Sequence, residues 1–310
     1  MAKVLALLAL MSGFFVPVLA YAYTGITFVI SSPTQANKEF IEDFKEELIS
    51  SKNTNLHVKI IELQETEKLV VAENSELVIA LGVKALEASS KLKHTTPVLG
   101  VFTPLPTFNS LLLASKRDLG NFSAIVLDQP YMRQMSLIKT VLPDVKNLGI
   151  LLGSTSSQYG ELLKDVGEKS TFNILEENIN QESDLIPKLK KVLDSTDALM
   201  AIPDPLIYNR ETAQPILLTS YRHQKPVFGY SQSYVRAGAL AAVYSSTKQL
   251  AQQAAEIAVK SQQAPGLLPP PQTPKYFSVM VNYQVARSLN IQLADEDSLY
   301  KKLLELETVQ

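Results

Sequence analysis

The chain has 310 residues, with 29 Lys and Arg against 31 Asp and Glu and a net charge of −2, so it has no basic excess with which to hold nucleic acid. It contains no cysteine, which excludes disulfides, thiolate nucleophiles, thiolate metal sites and attachment through a lipoprotein cysteine. Its hydrophobic content of 46% suits a globular chain that gains its stability from core burial.

The N-terminus reads as a secretory signal peptide over residues 1–22. Lys3 supplies a positive start, residues 4–18 are apolar apart from Ser12, Gly13 and Pro17, and Ala20-Tyr21-Ala22 is a small-x-small cleavage site. The apolar run is shorter than the roughly 20 residues of a membrane span. Cleavage after Ala22 leaves enough chain for two domains of about 140 residues each.

From Gly25 onward, short apolar runs alternate with amphipathic stretches. Strands are expected at 26–30, 58–63, 77–81 and 98–102, with helices at 37–48 and 83–91. Ser32-Pro33-Thr34-Gln35 reads as a capping box at the first of these helices. Residues 103–115, rich in proline and serine, read as a break. The alternation restarts near Gly120-Asn121, with strands at 124–127, 148–152, 172–176, 198–202 and 227–230 and helices at 133–142 and 185–193. A small-residue strand at 239–244 leads into a long Ala/Gln helix that is suited to crossing between halves. The tract 265–274, with Pro269-Pro270-Pro271, reads as an extended connector to 276–281, and 295–306 as an amphipathic C-terminal helix. Strands alternating with helices predict βαβ units, parallel sheets and two α/β halves in series.

Catalysis finds little support. The sequence lacks a GxSxG elbow, a phosphate loop and a GxGxxG fingerprint. His57, His94 and His223 lie away from the carboxyl ends of strands, where sites of open α/β sheets form. No His/Asp/Glu set has metal-ligand spacing. The expected protein is not an enzyme and uses no cofactor. Binding is better served, because the strand ends are repeatedly polar: Ser31-Ser32, Gly82, Thr103-Pro104, Asp128-Gln129, Gly153-Ser154-Thr155, Pro203-Asp204 and Tyr230-Ser231. Several of them open helices, whose free N–H groups favour a nearby anion by about 0.3–1 kcal/mol each. Asp204 has two open readings, partner of a ligand ammonium or helix N-cap. Tyr208, Tyr230 and Tyr159 are placed to line a cleft.

With these residues in place, the chain resembles the substrate-binding proteins of ABC transporters, in the group with tryptophan- and tyrosine-binding members and the type I periplasmic binding protein fold. The matching segments are residues 124–130, 137–143, 148–153, 201–205 (Ala-Ile-Pro-Asp-Pro), 226–231 (Pro-Val-Phe-Gly-Tyr-Ser), 237–242 and 276–289. They span most of the chain and are densest after residue 120. Two departures fall in the first half: Thr103-Pro104-Leu105 where related chains often have Asp-Pro, and Lys84 where a small or hydroxyl residue is common.

The resemblance implies an α/β protein of two Rossmann-like lobes joined by a hinge, with crossings near Asn121-Phe122, Tyr244-Ser245 and Pro274-Lys275. Lobe 1 would comprise 23–122 with 245–275, and lobe 2 would comprise 123–244 with 276–310. Carried over, the ligand-binding positions are Ser31, Ser32, Gly82, Thr103, Asp128, Ser154, Ser156, Asp204 and Tyr230, to which the residue reading adds Tyr208. The function implied is a monomeric periplasmic protein that closes on a small polar or zwitterionic ligand, an amino acid among the candidates, and delivers it to an inner-membrane ABC permease. The alternative is a periplasmic sensor or accessory protein that uses the same fold to contact a membrane partner.

Overall fold

The buried runs pair into two sheets in the computed structural model, which describes residues 25–50, 57–64, 69–263 and 266–309. The expected signal peptide, 1–22, lies outside the described residues. The first sheet contains β1 (Ile26–Ile30), β2 (Val58–Glu62), β3 (Leu77–Leu81), β4 (Val98–Thr103) and β5 (Phe122–Val126), all parallel, in the order β2-β1-β3-β4-β5. The second contains β6 (Asn147–Leu152), β7 (Asn173–Asn178), β8 (Ala198–Met200), β9 (Val227–Gly229), β10 (Ala241–Tyr244) and β11 (Ser278–Val281), in the order β11-β10-β9-β8-β6-β7. Only β11 runs antiparallel, against β10. Both sheets thus have the doubly wound order, which reverses between β1 and β3 and again between β6 and β8.

The helices are α1 (Gln35–Ser50), α2 (Val83–Ser89), α3 (Leu105–Ser115), α4 (Tyr131–Val141), α5 (Gly160–Lys169), α6 (Leu185–Leu193), α7 (Ala213–Arg222), α8 (Gln232–Ala237), α9 (Thr247–Gln263), α10 (Tyr283–Ser288) and α11 (Glu296–Val309). Covered on both faces, β1, β3 and β5 are buried at every position, which is why they read as unbroken apolar runs. One edge of each sheet is marked by charge instead, with Lys59 and Glu62 on β2 and Glu176 and Glu177 on β7. Beneath the first sheet, Phe28 meets Phe44 and Phe40 edge-on, with ring centroids 5.1 and 6.2 Å apart. Burying each of these rings contributes about 1.5–3 kcal/mol and fixes α1 on the sheet. Although α9 follows a strand of the second sheet, it packs into the core of the first, where small Ala251, Ala254, Ala255 and Ala258 allow close approach to α1.

Three local expectations change. Residues 105–115 form α3 rather than a break, because Pro104 sits at its N-cap and Pro106 in its first turn, where no N–H is needed. The run beginning at Phe122 belongs to the first sheet, paired with β4 from Val98↔Phe122 onward, so the first crossing follows Val126 rather than Asn121. At the start of α1 the capping hydroxyl is that of Thr34, which accepts from Asn37 N at 3.2 Å, not that of Ser32. The proline tract runs along the outer side of β5, where Gln272 bridges Ile125 and exchanges backbone bonds of 2.8 and 2.9 Å with Ala124 and Val126. Among the described residues no helix is long and apolar enough to cross a membrane.

Candidate functional site

A cavity of about 390 Å³ opens between the sheets, lined from the first by Pro104, Leu127 and Asp128 and from the second by Pro203, Tyr230, Ser231, Gln232 and Ser233. Tyr131 and Gln134 of α4 and Leu250 of α9, together with Gln129, Tyr244, Ser245 and Pro274 of the crossings, complete its wall. Its size lies within the range of small-molecule pockets.

Asp128 stands where the chain leaves β5. Its Oδ2 accepts from Leu105 N at 2.6 Å, so the carboxylate also caps α3. Burial pushes its carboxyl up from the ordinary value, and the Leu105 bond opposes that only in part. Tyr131 packs beside it, with its ring 6.2 Å from that of Tyr159. Burial, then the Asp128 charge, raises both phenols, that of Tyr159 to about 12, so both are neutral and able to donate at physiological pH. Gln232 donates to the Tyr244 hydroxyl at 2.6 Å and fixes that ring on the opposite wall.

Behind this wall the three crossings are stitched together. Gln129 Nε2 donates to Ser245 Oγ at 2.8 Å, and Ser245 Oγ donates to Tyr276 O at 2.6 Å. Arg133, 6% exposed, donates to Gln129 Oε1 at 2.8 Å and Pro274 O at 2.9 Å, pairs with Glu307, and lies 4.1 Å from the Phe277 ring centroid. One buried guanidinium therefore joins the first crossing, the third crossing and the C-terminal helix.

Of the expected ligand-binding residues, Asp128 and Tyr230 line the cavity. Ser31 and Ser32 are half-buried at the turn into α1, where the Ser32 carbonyl accepts from Asn37 Nδ2 at 2.8 Å. Gly82 opens α2 with φ +92°, in space that a Cβ would not fill, so its backbone conformation is what calls for glycine. Thr103 is fully buried and Ser154 is exposed.

Ser156 and Asp204 meet each other instead. Asp204, 2% exposed, accepts from Thr155 Oγ1 (2.7 Å), Ser156 N (3.0 Å), Ser156 Oγ (2.8 Å) and Leu206 N (2.9 Å). Four donors match the acceptor capacity of a carboxylate. The aspartate thus locks the loop after β6 to the loop after β8, over a Gly153 where a Cβ would lie 2.5 Å from Asp204 Oδ1.

Tyr208 is buried in a three-ring cluster, edge-on to Tyr230 and Tyr234 at 6.0 and 5.8 Å, and its hydroxyl has no partner among the described residues. The Tyr159 hydroxyl is likewise buried and unpartnered among the described residues. Sequence reasoning missed Tyr131, Gln134 and Gln232 because it searched strand ends, whereas these sit in the first turns of helices; Tyr244 does end a strand, β10, but was read there only as a crossing. The signal available was Pro130, which marks Tyr131 as the first residue of a helix that opens at a strand end. Among the described residues no group of His, Asp and Glu is arranged to hold a metal ion.

The family model for ABC transporter substrate binding proteins matches residues 34–302. No curated protein matches the sequence. Among solved structures, an ABC domain in complex with L-Trp from Streptococcus pneumonia is 17% identical, with TM-score 0.61, and covers 91% of this chain and 98% of its own. The ligand-free, open form of CD0873, a substrate-binding protein with adhesive properties from Clostridium difficile, is 16% identical, with TM-score 0.69 and coverage of 88% and 97%. A conserved domain protein from Vibrio cholerae is 19% identical, with TM-score 0.60 and coverage of 90% and 98%. At these identities the likeness is one of fold.

Proposed function

Because the chain belongs to the family of ABC transporter substrate-binding proteins, we propose that it is the extracytoplasmic, solute-binding component of an importer and carries one small polar molecule between its two lobes to a membrane permease. The observation that carries this reading is the cavity between the sheets, walled by both of them and by the segments that join them. A ligand there touches both lobes at once, so its binding favours whichever hinge angle brings them together. The ligand leaves as it arrived, without chemical change and without a cofactor.

The lobes in this account are the first sheet with α9 and the proline tract, and the second sheet with α10 and α11. Residues 1–22 direct export to the periplasm, and the protein acts there as a monomer. Asp128 and Tyr230 belong to the binding surface together with Tyr131, Gln232 and Tyr244. Ser156 and Asp204 hold the loops that frame it. Thermal unfolding of residues 23–310 against amino acids, amines, sugars and small acids tests the reading. A ligand at about 100 times its dissociation constant adds about 2.7 kcal/mol of stability. A flat response across all four classes would count against a solute-binding role.

A further inference from the structure

The side chains lining the cleft carry one charge, that of Asp128, and neither lysine nor arginine is among them. The neighbouring Arg133 offers no substitute, because its guanidinium is engaged by Gln129, Pro274 and Glu307. The amide groups lean the same way. Gln134 Nε2 donates to Gln129 O at 3.2 Å and Gln232 Nε2 to the Tyr244 hydroxyl at 2.6 Å, so part of the donor capacity of each is already used within the protein. A ligand carboxylate here would find no cation and would face a carboxylate of its own sign.

A second, independent feature has the same polarity. The cleft shares Gln232, Tyr244 and Ser245 with an adjoining groove of about 510 Å³, lined by Glu39, Glu42, Asp43 and Glu46 of α1 against the single cation Lys248. Burial raises the Asp43 carboxyl, Lys248 opposes this, and the three glutamates add to the rise, which reflects the negative field in the groove. The whole chain is nearly neutral at −2, so this accumulation of acid is local. Aromatic faces add to the fit, because Tyr131, Tyr230 and Tyr244 line the same cleft, and tyrosine faces attract organic cations.

We infer that the cargo is an organic cation carrying no carboxylate, an amine, guanidinium or quaternary ammonium compound, held between Asp128 and the tyrosine faces and drawn in along the acidic groove of α1. This inference rests on the solute-binding reading and narrows it: the zwitterions expected from the sequence become the weaker binders.

Matched compounds that differ by one group provide the test, read by thermal unfolding and titration calorimetry on residues 23–310. The pairs are tyramine with L-tyrosine, agmatine with L-arginine and choline with glycine betaine, and 4-hydroxyphenylacetate and D-ribose represent anions and neutral sugars. The expected result is that at least one cation binds and does so at least tenfold more tightly than its carboxylate-bearing counterpart. Asp128→Asn should weaken that cation at least tenfold while keeping a cooperative unfolding transition. If this variant does not fold, the matched pairs on the unmodified protein still decide. Tighter binding of a zwitterion, the anion or the sugar would overturn the cation assignment and leave the solute-binding reading intact. A flat response to every class would sink both.

Discussion

Asp204→Ala separates the two roles that the sequence left open for this residue. In the structure the carboxylate accepts four hydrogen bonds from its own chain, and the substitution strips an acceptor from each donor. Thr155 is exposed and regains water, so its share is about 0.5–1 kcal/mol. Ser156 is fully buried, and leaving its N–H and hydroxyl unpaired costs about 1–3 kcal/mol each, before Leu206 N is counted. Because water enters the cavity that is left, the total is set at about 3–4 kcal/mol rather than the full sum. In equilibrium urea unfolding this lowers the midpoint of the second lobe by about 1.5–2 M at a slope of about 2 kcal/mol/M. Thr155→Ala, which removes only the solvent-facing donor, shifts it by less than half as much. Affinity for the ligand, measured where the variant is folded, changes little. A stability loss below about 1 kcal/mol together with a large loss of affinity would refute the locking role and restore the ligand-ammonium role.

Other expectations are equally concrete. Tyr208→Phe removes a buried hydroxyl that has no partner among the described residues, so stability in urea should be unchanged or higher by about 1 kcal/mol; a clear loss would mean that the hydroxyl is satisfied. Arg133→Ala breaks a pair in which the arginine is 6% and the glutamate 32% exposed, and should cost about 3 kcal/mol, near the low end for buried pairs because Glu307 regains water. A loss below 1 kcal/mol would remove Arg133 from the hinge. Asp128 supplies a pH signature. Its folded carboxyl holds a proton more tightly than the unfolded chain does, so its favourable contribution is complete below the unfolded pKa of about 3.9 and is lost as pH rises through the raised folded value. The stability of Asp128→Asn relative to the unmodified protein should therefore improve from pH 3 to pH 7, and a worsening would contradict the burial that raises the group.

The parts of the fold legible in the sequence are those whose signal is local. Strands such as β1 and β3 are buried on both faces and read as uninterrupted apolar runs bounded by polar turns. The partner of Phe122–Val126 was not legible, because a strand's sheet is decided by tertiary pairing and both halves offered an edge. Helix α3 was hidden by Pro104 and Pro106, which break a helix interior but suit its first turn. At the site, Asp128 and Tyr230 stood out as polar groups ending buried strands. Tyr131, Gln232 and Tyr244 all belong to the second lobe and come together there only through tertiary packing, with Gln232 bonded to a Tyr244 on a different element. No spacing within one half encodes that arrangement. Asp204 had the right address for a ligand contact, but whether its acceptors were free depended on Thr155 and Ser156, about fifty positions away in sequence.

The most direct test of a ligand held between two lobes is backbone hydrogen exchange with and without the compound that most raises the unfolding temperature. The account predicts protection on both walls and the hinge together: residues 105 and 127–128 on one side, 131–134 and 230–233 on the other, and 244–246 between them. Protection confined to one sheet, or to a surface away from the cleft, would contradict it.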